Sequence, residues 1–348
     1  MIGRRFLLFT SLVVILLITF LFLLLKPEEK KVIVCWGDSL TAPSYSNDIK
    51  SKLYQLYKGP GDWPDFLQRY LGNEYKVINS GVSGENTLGI MLRQGSLPLL
   101  IGKDILFCAK QGIVTHIASK NDSLFEGMMG GGNSLLLHGW EHNTSARFNP
   151  CVINDREYNI HSISHPYKNS TSDSLFSWLY DYYIEPLGES QNRGQFCDVD
   201  TIAKGSRIYT WASQHLRNPY INIFFIGQNG GYSSINELIS QIKTMINYSN
   251  AKRYIVISFH HTNNIVRTIP EMKRMEQSYY KTFGQNYINL RDSLIHLDFY
   301  KEGFTLTRED SMSVRNGKVP QTLMKDGLHF NPEVYDIIAR MIFNKIKQ

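Results

Sequence analysis

Five short apolar runs, most of them rich in β-branched residues, constrain the fold of this chain more than any other feature. They are Lys31 to Trp36 (KVIVCW), Lys76 to Asn79, Tyr220 to Ile226 (YINIFFI), Arg253 to Phe259 (RYIVISF) and Tyr287 to Leu290. Runs with apolar residues at consecutive positions read as strands covered on both faces. Stretches with helical spacing separate them: Asp62 to Leu71, Leu88 to Leu100, Ile235 to Asn247, Glu271 to Phe283, and a last helix running to Lys347. Strand and helix in alternation predict an α/β, doubly wound (flavodoxin-like) parallel sheet with helices on both faces.

The alternation breaks once. Residues 103–207 hold short alternating runs and many turn residues, with candidate strands at Asp104 to Cys108, Gly112 to Ala118, Ser134 to His138, Ala146 to Ile153, Glu157 to Ile163, Trp178 to Ile184 and Ser206 to Trp211. Strands at that spacing predict an all-β unit inserted into a loop of the α/β domain. The glycine-rich stretch Gly127 to Gly132 lacks a following helix pattern and a GK[ST] ending, which argues against a phosphate-binding loop.

Phe6 to Leu25 is an uncharged run of 20 residues preceded by Arg4 and Arg5. As a helix it would extend about 30 Å, the thickness of a bilayer core. It exceeds the roughly 7–15 apolar residues of a cleaved leader, and no small-x-small site follows, so a retained transmembrane helix is expected. The two arginines place the N-terminus in the cytoplasm and the bulk of the chain outside it. The expected organisation is therefore 1–30 anchor and spacer, 31–102 first part of the α/β domain, 103–207 inserted β-rich domain, and 208–348 second part of the α/β domain. The net charge of +6 over 348 residues, with no dense basic block beyond the N-terminal flank, argues against a nucleic-acid partner. The four cysteines show no metal-ligand spacing; Cys151 and Cys197 share the middle region and are a candidate pair, and Cys35 reads as a buried thiol. No metal or cofactor is expected.

Three loops at the carboxyl ends of predicted strands, and one before the last helix, carry chemistry. Gly37-Asp38-Ser39-Leu40-Thr41 follows the first strand; Asn79 to Thr87 (NSGVSGENT) follows the second; Gly227-Gln228-Asn229-Gly230-Gly231 follows the third. Asp326-Gly327-Leu328-His329 precedes Asn331 and Pro332, a helix start with an N-cap and a first-turn proline. Ester hydrolysis needs a hydroxyl beside a base, a carboxylate to orient that base, and donors aimed at the developing oxyanion. Each loop read alone is a turn or a cap. Together they supply all of these groups at one edge of the sheet. His260 and His261, adjacent after the fourth strand, point to opposite faces and do not suit one metal; structural or substrate-contact roles are expected.

With these blocks in this order, the chain resembles the SGNH, or GDSL, hydrolase family, over Lys31 to Leu100 and Tyr220 to the C-terminus. The resemblance implies Ser39 as nucleophile, His329 as general base and Asp326 beside it. It implies an oxyanion hole made by the N–H groups of Ser39 and Gly84 and the side chain of Asn229, with Gly84 rather than Gly81 as the family's glycine. One departure is Gly230, where the family usually carries an acid after the asparagine. An inserted all-β unit resembles the carbohydrate-binding units of some members, and its aromatics, among them Trp140, Tyr158 and Trp178, suit sugar rings or a core. By this analogy the substrate expected is an acylated polysaccharide of the cell envelope or outside the cell, such as O-acetylated peptidoglycan, or a small ester. A lipase, thioesterase or O-acyltransferase stays open within acyl chemistry, and a non-catalytic glycan-binding envelope protein stays open outside it.

Overall fold

The computed structural model describes residues 29–42, 62–102, 104–108, 114–115, 125–126, 148–168, 176–187 and 199–348. In chain order the elements begin with β1 (Lys31–Gly37), α1 (Trp63–Leu71), β2 (Tyr75–Gly81) and α2 (Thr87–Gln94). Nine strands follow: β3 (Leu99–Ile101), β4 (Ile105–Cys108), β5 (Val114–Thr115), β6 (Phe125–Glu126), β7 (Cys151–Ile153), β8 (Arg156–Lys168), β9 (Phe176–Pro186), β10 (Val199–Ile202) and β11 (Arg207–Ile208). The chain continues with α3 (Trp211–His215), β12 (Ile221–Phe225), α4 (Ile235–Ser249), β13 (Arg253–Ile257), α5 (Ile269–Phe283), β14 (Tyr287–Ile288), α6 (Leu290–Ile295), α7 (Arg308–Arg315) and α8 (Pro332–Lys347).

The protein is α/β. Its main sheet has five strands in the order β14-β13-β12-β1-β2, all parallel, with β1 paired to β2 on one side and to β12 on the other. This order is compatible with a doubly wound fold, whose crevice opens at the carboxyl ends of the strands where the order reverses. The reversal here falls at β1. The continuous apolar runs are buried as expected: Ile33, Val34, Cys35 and Trp36 of β1 and all of β12 are sealed from solvent. Each aliphatic or phenyl side chain among them contributes about 1.5–3 kcal/mol on burial. The polar residue within β12, Asn222, accepts a hydrogen bond from Trp36 Nε1 at 3.1 Å, which satisfies two polar groups between the layers.

Local signals set the helix ends. Asp62 caps α1 by accepting from Asp65 N at 3.1 Å, and Trp63, Leu67 and Leu71 form its buried face. Asn86 caps α2 through Gly89 N at 2.9 Å. The helix expected over Leu88 to Leu100 is corrected: α2 stops at Gln94, Gly95 turns left-handed, and Leu99–Ile101 is a strand. The apolar residues past Gly95 belong to a second core, of Leu92, Leu99, Ile101, Ile105, Cys151, Ile153, Tyr158, Ile160 and Ile208. Likewise the strand expected over Ser206 to Trp211 is only Arg207–Ile208. Thr210 accepts from Ser213 N at 3.0 Å and starts α3.

Between β3 and β11 every pairing among the described residues is antiparallel, in small sheets ordered β10-β4, β11-β3-β6 and β5-β9-β8-β7. Cys151 is a free, buried thiol that donates to Tyr158 O at 3.4 Å, so the pairing with Cys197 is corrected; burial pushes its pKa up to about 12. Cys35 is free and buried as expected. Tyr158 is a core residue. The strand expected at Ser134 to His138, Trp140 and the anchor expected at Phe6 to Leu25 lie outside the described residues. Among the described residues no helix is long and apolar enough to cross a membrane.

Candidate active site

The first loop leaves β1 at Gly37 and turns at once. Thr41 N and Ala42 N both donate to Asp38 O, at 3.0 and 2.8 Å, and Leu40 N donates to Asp38 Oδ1 at 2.9 Å. The buried Asp38 thus ties down the turn that presents Ser39, which is half-buried at the sheet edge. Burial raises the Asp38 pKa to about 7, and its Oδ2 has no partner among the described residues.

The last loop brings the base. His329 Nδ1–H donates to Asp326 Oδ2 at 2.9 Å, which leaves Nε2 to accept from the Ser39 hydroxyl, also at 2.9 Å. The other carboxylate oxygen, Asp326 Oδ1, accepts from His329 N at 2.7 Å and Leu328 N at 2.8 Å. These bonds hold the Asp326 pKa down at about 2; the backbone N–H of His329 is the largest cause, followed by that of Leu328 and the His329 ring. One carboxylate therefore fixes both the loop's backbone and the tautomer of its imidazole. Asn331 precedes α8 as expected, but its side chain does not cap the helix. It donates instead to Thr322 O at 3.0 Å, while Asn331 N donates to Leu323 O, so it closes the loop from below.

The second loop lies against the first. Val82 N donates to Gly37 O at 3.0 Å. A Cβ on Gly81 would stand 2.3 Å from Ala42 N and 2.6 Å from Thr41 C, so Gly81 is the glycine that lets the two backbones meet. Gly84, at φ 75°, faces open space, with nothing within 4 Å of where a Cβ would lie. The N–H groups of Ser39 and Gly84 make no hydrogen bond among the described residues.

The third loop is tied to the second rather than directly to the nucleophile. Asn229 Nδ2 donates to Glu85 O at 3.2 Å, which occupies one of its two amide protons; the residue is exposed. Thr87 N and Thr87 Oγ1 both donate to Gly230 O, at 3.1 and 2.5 Å. These bonds tie the third loop to the start of α2 at Gly230. Beneath them lies a buried ion pair. Arg93 grips Glu85 through Nε and Nη2 at 3.0 and 2.6 Å, reaches Ser80 Oγ at 2.7 Å, and sits 5.3 Å from the Trp36 ring centre. Both side chains are sealed from solvent, so the pair is a rigid strut under Gly84 and Asn229.

His260 emerges as an additional member of the site. It is buried at the end of the segment after β13, packs against Phe330 with ring centres 4.1 Å apart and planes tilted by 40°, and donates from Nε2 to Leu328 O at 3.0 Å. Burial first, and His261 second, lower its pKa to about 3, so the ring stays neutral and keeps this single donor role. It holds the backbone immediately before His329. The sequence offered only its position after a strand, which is why its partner could not be read from it. His261 is exposed, with its pKa lowered by partial burial and by Lys318.

All four loops thus converge on the carboxyl edge of the sheet. Ser39, His329 and Asp326 are joined in one hydrogen-bonded chain, and Gly84 and Asn229 are braced beside it. Compared with known proteins, the chain matches no family model and no curated protein.

Proposed function

We propose that this protein is a serine esterase of the SGNH type, held at a membrane by Phe6 to Leu25, that removes O-acetyl groups from an extracytoplasmic polysaccharide. The observation that carries the esterase reading is the relay from Ser39 Oγ through His329 to Asp326, formed by residues 290 positions apart and fixed by two backbone N–H groups. In this mechanism Ser39 Oγ attacks the ester carbonyl as His329 Nε2 takes its proton. Asp326 stays ionised and stabilises the imidazolium. The N–H groups of Ser39 and Gly84, and the free amide proton of Asn229, receive the oxyanion. Collapse expels the sugar hydroxyl, protonated by His329. Water then attacks the acyl-enzyme, gives a proton to the same nitrogen, and releases acetate.

Support for a polymeric substrate comes from the openness of the site: the side chains of His329 and Asp326 are 34% and 52% exposed. Long acyl chains are usually held in enclosed apolar pockets. The antiparallel strands between β3 and β11 are suited to act as an inserted β-rich domain beside the site. The test is acetate release from O-acetylated glycans by the full chain, together with labelling of Ser39 by a fluorophosphonate. Activity on p-nitrophenyl acetate that is lost in Ser39→Ala, and that falls with acyl length, is expected. A long-chain optimum would move the substrate to a lipid. An unlabelled Ser39 with no ester turnover would overturn the esterase reading.

A further inference from the structure

Opposite the candidate active site, the amino edge of the main sheet carries a cluster of cations around two tyrosines. Lys31 opens β1, Tyr75 opens β2, Arg253 opens β13, and Tyr220 directly precedes β12. Because these strands are parallel, all four residues lie at one edge. Lys31 Nζ stands 5.3 Å from the Tyr75 ring centre and 5.4 Å from that of Tyr220. Lys252 Nζ lies 5.7 Å from Tyr220, and Lys347 Nζ, at the end of α8, lies 5.9 Å from Tyr75. Arg253 donates to Ile346 O and Lys345 O, which fastens the end of α8 to the same edge. Among the described residues Glu74 pairs with Lys31 and Glu29 stands two positions before it in the spacer; Lys252 and Lys347 are exposed. Lysines over aromatic rings, with the ammonium groups at the surface, match the cation and amphipathic-ring composition of membrane-interface surfaces.

The chain itself says what faces this edge. Leu25, the last residue of the apolar run, is six positions before Lys31. Six extended residues reach at most about 21 Å. On the anchor reading the amino edge therefore stays within that reach of the bilayer surface. Ser39 lies beyond the far end of β1, whose seven residues extend roughly 20 Å. We propose that the amino edge is a membrane-docking face on which Lys31, Lys252 and Lys347 hold anionic phospholipid headgroups. This orientation rests on the proposed anchor and turns Ser39 away from the bilayer, toward a glycan rather than the lipid beneath it.

The test uses the full chain in phosphatidylcholine vesicles with or without phosphatidylglycerol. Acetylation of lysines by a soluble amine reagent is followed residue by residue by mass spectrometry. Lys252 and Lys347 are expected to react on the order of 5-fold more slowly with the anionic lipid at low salt, with protection fading in high salt. Lys325, beside Asp326 at the opposite edge, should react equally in both. The double variant Lys252→Glu/Lys347→Glu should lose the lipid-dependent protection of Lys31. Equal rates for Lys252 and Lys347 in the two lipids, or protection of Lys325 to the same degree, would overturn the proposal. Carbonate extraction reads the anchor separately. A chain released by carbonate refutes the anchor, while lysine protection by added vesicles still decides the docking face. Neither measurement depends on ester turnover.

Discussion

Replacing Asp326 by asparagine tests the relay with the least change of shape. In the native loop Oδ1 receives two backbone N–H groups and Oδ2 receives His329 Nδ1–H. The asparagine amide oxygen can keep the first role. Its NH2 group then faces Nδ1–H, donor against donor, and the imidazole escapes by moving its proton to Nε2. That nitrogen now donates toward Ser39 and cannot take its proton. The variant also loses the carboxylate that stabilises the imidazolium. In relays of this kind the wrong tautomer costs about 10⁴-fold in kcat, or roughly 5 kcal/mol of barrier. Turnover of p-nitrophenyl acetate and the rate of fluorophosphonate labelling should both fall by about that factor, with KM nearly unchanged. Thermal unfolding should move little, because the two backbone bonds survive. An Asp326→Asn protein that folds and keeps a tenth or more of the wild-type kcat would refute the assignment.

Four further outcomes follow from the same geometry. Gly81→Ala should unfold or displace the nucleophile turn, since its Cβ would stand 2.3 Å from Ala42 N, whereas Gly84→Ala should cost only about 1 kcal/mol in a denaturant titration and lower kcat. Arg93→Met removes the guanidinium that faces the buried Glu85 and should destabilise by about 3–5 kcal/mol; adding Glu85→Gln should restore more than half of that in urea unfolding. His260→Phe keeps a ring against Phe330 but loses the donor to Leu328, so kcat should drop about 10-fold with KM unchanged and recover in part in His260→Gln. Asp38 has a folded pKa of about 7 against an ordinary 3.8, so its contribution to stability is complete below 3.8 and is lost as pH rises through 7. Asp38→Asn, neutral throughout, should gain on the wild type by roughly 4 kcal/mol between pH 4 and pH 8, and identical pH profiles of the unfolding midpoint would reject the buried acid.

The parallel sheet was legible because β1, β12 and β13 are covered on both faces, which forces near-continuous β-branched and aromatic runs. The candidate site was legible for a related reason: its groups lie in the loops directly after those strands and before a proline-started helix. What escaped lies where the pattern is weaker. Leu97, Leu99 and Ile101 recur at every second position, as in a strand, but they adjoin the apolar residues of α2, and only Gly95 marks where the helix ends. The helix α7 has one buried residue, Asp310, so no apolar stripe announces it; its signal is the Thr307 and Asp310 capping box. His260 and the Glu85–Arg93 pair depend on partners 68 and 8 positions away, and pairing at a distance leaves no periodic trace.

The separation of Ser39 from His329 also bears on when the site comes to exist. Synthesis runs from the N-terminus, so the hydroxyl emerges 290 residues ahead of its base. The final helix then has to settle on α1, where Tyr70 OH donates to Asp336 at 2.7 Å and the Tyr70 and Phe343 rings lie 5.8 Å apart. Until that contact forms, the serine is chemically ordinary. On the proposed esterase reading, a nascent, stalled or clipped chain would carry no ester-cleaving power, and the onset of serine reactivity would report completed folding.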